Sequence, residues 1–321
     1  MVHVIANPNA QSGRGAAALS VVERAFSAKG IPCEVHLSEH AGHITHLAHE
    51  ISLMGTKADP VKMVVLGGDG SLNEAVNGIA DFEAVHFAIL PVGSGNDFFR
   101  GLRLKPDLEA LLPSVLDGTV KRTVDLGKVA YASFENPMGF LPEGTECADR
   151  LFGVSCGIGF DAGVCVGVNT TGTKGVLNAL HLGSLSYGVI ALKQILRTKK
   201  VACDIESADG KKIHLDRFLF TALHNSGYEG GGYEFAPDGD MADGLLNLIT
   251  VGNIPTLQAM LSFPAAHSGK AYDIRGVQHF LTPSVRIRTE VPLWVHTDGE
   301  VFVQSDDITV SIVPKALQLM I

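Results

Sequence analysis

Cysteine is sparse in this chain of 321 residues: the five present (Cys33, Cys147, Cys156, Cys165, Cys203) are scattered without a CxxC pair. That spacing argues against a zinc ribbon and against a disulfide framework. No run of about 18 uncharged apolar residues occurs, which excludes a membrane-spanning helix. The opening MVHVIANPN lacks a basic stretch followed by an apolar one, so no secretory signal is expected and the cytoplasm is the expected compartment. Positive charge is in short supply: 25 Lys and Arg face 34 Asp and Glu, for a net charge of −9. Nothing in that balance gives the field a general nucleic-acid binder needs. A GxxxxGK[ST] phosphate loop is missing, and so is a GxGxxG fingerprint, because Gly93-x-Gly95 has no third glycine. Apolar residues are plentiful at 46%, against 18% charged, so the chain can bury a large core, and its length suggests two domains.

The first half alternates regularly. Apolar runs at Val2–Ala6, Cys33–Leu37, Val61–Leu66 and Phe87–Leu90 read as strands. Between them lie helical patterns: Leu19, Val22, Ala25 and Phe26 closed by Gly30, then Ile44–Leu53, then Leu72, Ala75, Val76 and Ile79. Such alternation predicts a parallel sheet with helices on both faces. Beyond about Val124 short β-rich segments take over, at 124–129, 201–205, 218–223, 245–251, 285–288, 293–296 and 308–313. They predict an antiparallel sandwich or barrel-like domain, interrupted by helices near Leu177–Leu196 and Thr256–Ser262. The expected class is therefore α/β plus all-β, with domains at 1–124 and 125–321.

Three glycine-rich loops each follow a predicted strand of the first domain, where open parallel sheets bind ligands. Glycines let backbone N–H groups approach an anion, and the next helix presents its positive end. The first loop, NPNAQSGRG at 7–15, adds Arg14 as a phosphate clamp, although a plain strand-to-helix turn explains it equally. In the second, Gly67, Gly68 and Gly70 surround Asp69, and Ser71-x-x-Glu74 reads as a capping box. A cap does not explain Asp69, since a carboxylate aimed at phosphate is repelled unless a metal or a proton transfer holds it there. The third, GSGND at 93–97, offers Ser94 and Asn96 as donors.

NPN…SGRG, GGDGSLNEAVNG (67–78) and PVGSGNDFFRGL (91–102) resemble the lipid-kinase family that includes bacterial diacylglycerol kinases and eukaryotic sphingosine kinases. VDLGKV (124–129), GIGFDAGV (157–164), HNSGYEGGGYEFAPDGDMADGLLNL (224–248) and TDGE (297–300) continue it in order along nearly the whole chain. The departures are Ser71 for the usual Thr, Arg14 for a Lys, and an insertion near Asn136–Asp149. The resemblance implies an N-terminal parallel α/β nucleotide-binding domain and a C-terminal antiparallel β-sandwich domain, with the active site in the cleft between them. It leaves room for the last segment to pack back on the first domain. It places ATP on Asn7, Pro8, Asn9, Ser12, Gly13 and Arg14, on Gly67, Gly68, Asp69, Gly70, Ser71, Asn73 and Glu74, and on Gly93, Ser94, Gly95 and Asn96, with Ser38 approaching the nucleotide. Glu300 matches the proton acceptor, and Asp69 is the alternative. Asp243 matches a Mg²⁺ ligand, joined by backbone oxygens of Asp240 and Leu245; Asp97 and Asp125 match a supporting acidic network. On their own, PDGDMADG (237–244) and Asp298-Gly299-Glu300 read as tight turns.

The expected activity is transfer of the γ-phosphoryl group of ATP to a lipid hydroxyl, with diacylglycerol leading over sphingoid bases and other lipid alcohols. NAD kinase and 6-phosphofructokinase share a GGDG loop, and a nucleotide sensor without catalysis is a third alternative. The expected partners are ATP, Mg²⁺ and a lipid at a membrane surface reached peripherally, with no nucleic acid and with a homodimer allowed. Arg197, Lys199 and Lys200 form the candidate basic face, which solvated surface explains as well. His36, His40, His43, His46 and His49 are dense, but no carboxylate or cysteine is spaced to complete a zinc site, so a surface role is expected.

Overall fold

The computed structural model describes residues 1–8, 13–93, 95–141, 147–170, 200–255, 258 and 270–321. Strands β1 (Val2–Ala6), β2 (Cys33–Leu37), β3 (Val61–Gly67) and β4 (Val85–Pro91) pair in parallel in the order β2-β1-β3-β4. Val4, Ile5, Val64, Val65, Ile89 and Leu90 are all within 1% of complete burial, which is why these strands read as unbroken apolar runs rather than alternating ones. Helix α1 (Arg14–Ala28) packs against α5 (Leu108–Asp117), and α2 (His43–Ser52) against α3 (Asp69–Val76), while a one-turn helix α4 (Asp97–Gly101) follows the third glycine loop. The loops after β1, β3 and β4 therefore share one end of the sheet.

The second half contains β5 (Arg122–Tyr131), β6 (Arg150–Phe152), β7 (Ser155–Gly159), α6 (Phe160–Thr170), β8 (Val201–Ser207), β9 (Lys212–His224), β10 (Tyr228–Glu229), β11 (Tyr233–Glu234), β12 (Leu246–Gly252), β13 (Val277–Thr282), β14 (Ser284–Thr297) and β15 (Glu300–Leu319). The long strands β9 and β14 are bridged by β7 at one end and by β8 at the other, all antiparallel, so each contributes to both layers of a sandwich. Between the layers lies a second apolar core that includes Phe152, Ile158, Phe218, Leu248, Ile287 and Ile308. Strand β15 pairs with β14 and β5, then reaches β4 in parallel at Leu319 and Phe87, where Met320 N–H donates to Phe87 O at 2.8 Å. The two halves are thereby joined through one continuous sheet, and no helix among the described residues is long and apolar enough to cross a membrane.

Three local expectations change. The segments 285–288 and 293–296 are one strand, β14, because its register shifts between Arg288 and Leu293 and that irregularity interrupts the alternation. Helix α5 was not anticipated; Asp107 caps it by accepting from the N–H groups of Glu109 and Ala110. The helix expected at 177–196 lies outside the described residues, as does that at 256–262 apart from Gln258.

Candidate active site

The second and third glycine loops meet backbone to backbone. A Cβ on Gly68 would lie 2.9 Å from the Gly93 Cα, and one on Gly93 would lie 2.5 Å from the Gly68 Cα, so no side chain fits at either position. This contact seats Asp69 over the third loop. The N–H groups of Asp97 (3.1 Å) and Phe98 (3.2 Å) donate to its two carboxylate oxygens. Burial, then the neighbouring charge of Asp97, raises the Asp69 pKa from 3.8 to about 6. Asp97 is itself buried, paired with Arg100 at 2.8 Å and accepting from Gly231 N–H of the second half at 2.6 Å. Asn96 sits in the left-handed region (φ 55°) and its amide donates to Gly93 O at 3.0 Å, which closes the third loop on itself.

Glu300 comes from the far end of the chain to the same place. Asp298 (φ 51°) and Gly299 (φ 83°) form the two-residue turn between β14 and β15, both in the conformation that an Asp-Gly hairpin supplies cheaply. A Cβ on Gly70 would stand 3.4 Å from Glu300 Oε1, so the carboxylate rests against the second loop. The turn is anchored by Asp298, whose oxygens accept from Asn73 Nδ2 (2.9 Å) and from the N–H groups of Gly153 (2.9 Å), Val154 (2.8 Å) and Ser155 (3.1 Å). Asn73 also accepts from Arg150 at 2.9 Å, and the Arg150 guanidinium lies 4.1 Å over the Phe302 ring. A register shift in β14–β15 beside His296 places Phe302 out of the regular ladder.

The first loop is described only in part, since Asn9 and Ser12 lie outside the described residues, as does Ser94. Gly13 adopts φ 98° before α1, and as the N-cap residue it has no side chain with which to cap that helix. Gly15 is buried so tightly against Asn7 O that a Cβ could not be accommodated, which brings Asn7, Pro8 and Arg14 around the start of the helix. Ser38 joins them from the end of β2, where its N–H donates to Ala6 O at 2.9 Å. Helix α3 likewise begins after Gly68 with no side-chain cap. The capping box is thus corrected. The extended Gly68 starts the helix at Asp69, Ser71 falls inside the first turn under Gly67, and Glu74 accepts instead from Ile44 N–H of α2 at 3.2 Å. Two helix N-termini that start at glycine N-caps and open on glycine loops suit a polyphosphate.

The aspartate-rich turn of the second half packs beside Asp125, which is 1% exposed and accepts from Gly244 N–H (2.8 Å) and Lys315 N–H (2.6 Å). Asp240 and Asp243 are exposed, and each carries one turn hydrogen bond, from Ala242 N–H (3.0 Å) and Leu245 N–H (2.8 Å) respectively. Burial, opposed by Leu245 N–H and reinforced by the charges of Asp240 and Asp125, raises the Asp243 pKa. A hard cation would relieve that crowding of charge, and the donor set of oxygens fits Mg²⁺.

Sequence spacing missed Arg150, Asp298 and a buried group on the far side of the hairpin. There His296 Nε2 lies 2.8 Å from Asp161 Oδ2 and 3.4 Å from Glu229 Oε1, and Gly299 N–H donates to Nδ1 at 3.2 Å. Burial disfavours charge on this ring and the two carboxylates favour it, but a donor at Nδ1 fits the singly protonated ring with its proton on Nε2. The GIGFD and TDGE segments were the available signal, because Gly157 leaves the room that Asp161 and His296 fill. The dense histidines also need correction: His36 has a carboxylate partner, Glu34, and a second imidazole, His3, brought in by the neighbouring strand.

Residues 1–129 match the family described as "Diacylglycerol kinase catalytic domain", and residues 155–321 match "YegS C-terminal NAD kinase beta sandwich-like domain". The chain belongs to the diacylglycerol kinase/lipid kinase family. Among its relatives, the Bacillus subtilis protein YtlR, which carries a lipid-kinase name, is 27% identical over 92% of both chains. The Bacillus subtilis diacylglycerol kinase is 25% identical over 88% of this chain and 84% of its own. A solved structure of a Bacillus anthracis diacylglycerol kinase shares the fold with a TM-score of 0.66 at 19% identity, covering 99% of this chain and 96% of that one.

Proposed function

We propose that this protein transfers the γ-phosphoryl group of ATP to the hydroxyl of a lipid, with diacylglycerol the leading acceptor and phosphatidic acid the product. The observation that carries the reading is the approach of Glu300 to the Asp69 loop, which sets two carboxylates beside the glycine-capped start of α3. Backbone N–H groups of the three loops and Arg14 would hold the phosphates, and Ser38 would flank the nucleotide. Mg²⁺, when bound, supplies charge neutralisation on the phosphates, and Asp240, Asp243 and Leu245 would hold a further ion within the second half. Glu300, or Asp69 in its place, accepts the proton of the attacking hydroxyl; such transfer depends on positioning and electrostatics more than on covalent chemistry. Asp97 would tie the two halves together through its bond from Gly231, while Asp125 would brace the aspartate-rich turn against β15 through its bonds from Gly244 and Lys315.

The lipid side is supported by the segment following β5. Phe134, Met138 and Phe140 are exposed, Phe140 lies 6.2 Å from Trp294, and Glu135 pairs its backbone with Gln304 of β15. An apolar stretch pinned in this way to β14 and β15 suits peripheral contact with a bilayer. Of the candidate basic face, Arg197 and Lys199 lie outside the described residues, and Lys200 donates to Ile254 O at 3.0 Å.

Radiolabelled ATP presented with diacylglycerol, sphingosine, monoacylglycerol, NAD and fructose 6-phosphate tests the reading, with products identified by mass spectrometry. Magnesium-dependent labelling of a lipid alcohol is the expected result. Labelling of NAD or fructose 6-phosphate would overturn it, and so would ATP binding without transfer to any acceptor.

A further inference from the structure

The histidine-dense stretch that begins at His36 is not used by the proposed reaction, yet its first member sits in an unusual setting. Strands β1 and β2 pair in parallel with His3 opposite Glu34 and Ile5 opposite His36. Side chains two apart on a strand share a face, so Glu34 and His36 stand together beside His3. His3 Nδ1 lies 3.1 Å from His36 Nε2 and 3.6 Å from Glu34 Oε2, and His36 Nε2 lies 3.9 Å from Glu34 Oε1. Zinc bonds of about 2.0–2.1 Å in tetrahedral geometry set neighbouring donors roughly 3.3–3.4 Å apart, within the spread of these three separations. The imidazoles stack with centroids 5.4 Å apart and planes 25° apart, and their facing nitrogens leave room for only one proton between them.

We propose that His3, Glu34 and His36 form a binding site for a single divalent transition-metal ion of the zinc class, on the edge of the parallel sheet. Two imidazoles and one carboxylate match the preference of Zn²⁺, Co²⁺ and Ni²⁺ over Mg²⁺, whose ligands are oxygens. The site is deep on one side and open on the other: the side chains of His3, His36 and Glu34 are 4%, 17% and 51% exposed. The ion has an entry path, and its fourth position is left to water. Strand β2 is the outermost strand of the parallel end of the sheet, and an ion here would tie it to β1.

Cobalt(II) is the probe. The intact protein, freed of metal with EDTA and desalted, is titrated with Co²⁺ while its visible absorption is followed, and Zn²⁺ is then used to displace it. One Co²⁺ per chain with tetrahedral bands is expected, together with a rise of several degrees in melting temperature on adding Zn²⁺. His36→Gln and Glu34→Gln, both away from the core, should each weaken binding at least tenfold, while His46→Gln on α2 should leave it unchanged. Absence of a saturable 1:1 spectrum in the wild-type protein overturns the proposal. Binding that survives both variants but is lost in Glu229→Gln also overturns it, since the ion would then sit with Asp161 and His296. Because the wild-type titration stands alone, a variant that fails to fold does not decide the matter.

Discussion

The hairpin turn at Asp298 and the glycine loop at Asp69 each shield a carboxylate at the same junction, but they treat it differently. Asp298 receives four donors, three of them backbone N–H groups of one turn, and its job is complete without a ligand. Burial raises the pKa of both, but at Asp298 four donors work against the rise, whereas Asp69 receives two, stands beside a second carboxylate, Asp97, and reaches about 6. A fully satisfied carboxylate is an anchor, and a half-satisfied one beside like charge stores a cost that a cation or a proton can relieve. The difference predicts that mutations at the first site act on the fold and mutations at the second act on the reaction.

The largest effect is expected at the anchor. Asp298→Ala strands three backbone N–H groups and the Asn73 amide and should cost about 3–5 kcal/mol of stability, the usual loss when one partner of a buried charged network is removed. Activity should fall with it, because the same turn carries Glu300. Urea unfolding monitored alongside turnover checks this, and a variant as stable as the wild type would erase the distinction.

Glu300→Gln sharpens the contrast from the other side. The turn and its four hydrogen bonds are untouched, so the melting temperature should hold. Turnover should fall by roughly 10²–10⁴, the range for loss of a general base. A loss below tenfold at unchanged ATP affinity would move the role to Asp69.

Much of this molecule was legible in its sequence, and the illegible part has a common cause. Strands β1 and β2 were bounded to the residue, because strands buried on both faces or paired at a sheet edge announce themselves locally. The glycine loops were legible because close backbone approach tolerates nothing else. By contrast, Asp298 accepts from Gly153 across 145 positions and Arg150 donates to Asn73 across 77, and no local pattern encodes either. Glu74 was misassigned for the same reason: its partner, Ile44, lies on another helix. The His3–His36 pair became visible only once strand register was known.

Asp69 yields a pH dependence whose sign follows from its raised pKa. Between about 4 and 6 the folded protein holds a proton that the unfolded chain has released, so this group makes stability decline as pH rises through that window. A shift from 3.8 to about 6 corresponds to about 3 kcal/mol at neutral pH, and Asp69→Asn should recover part of it, less the hydrogen bond that an amide cannot accept. If the ionised form is needed for turnover, the wild-type rate should fall about tenfold per pH unit below 6. A rate profile unchanged in shape by Asp69→Asn would assign that limb to another group.

The smallest effect is expected at the exposed aspartate turn, which lies between the two cases. Asp243 is exposed and holds one backbone donor, yet Asp240 and the buried Asp125 crowd it with like charge. A magnesium ion bound there stabilises the folded chain by mass action, about 2.7 kcal/mol at a hundredfold excess over its Kd and less at ordinary concentrations. Asp243→Ala removes both the ligand and the repulsion, so stability without magnesium should change little while the gain on adding magnesium disappears. Melting curves of both proteins at several magnesium concentrations separate the two terms. A variant that keeps the full magnesium response would show that this turn, like the Asp298 hairpin, is complete without an ion.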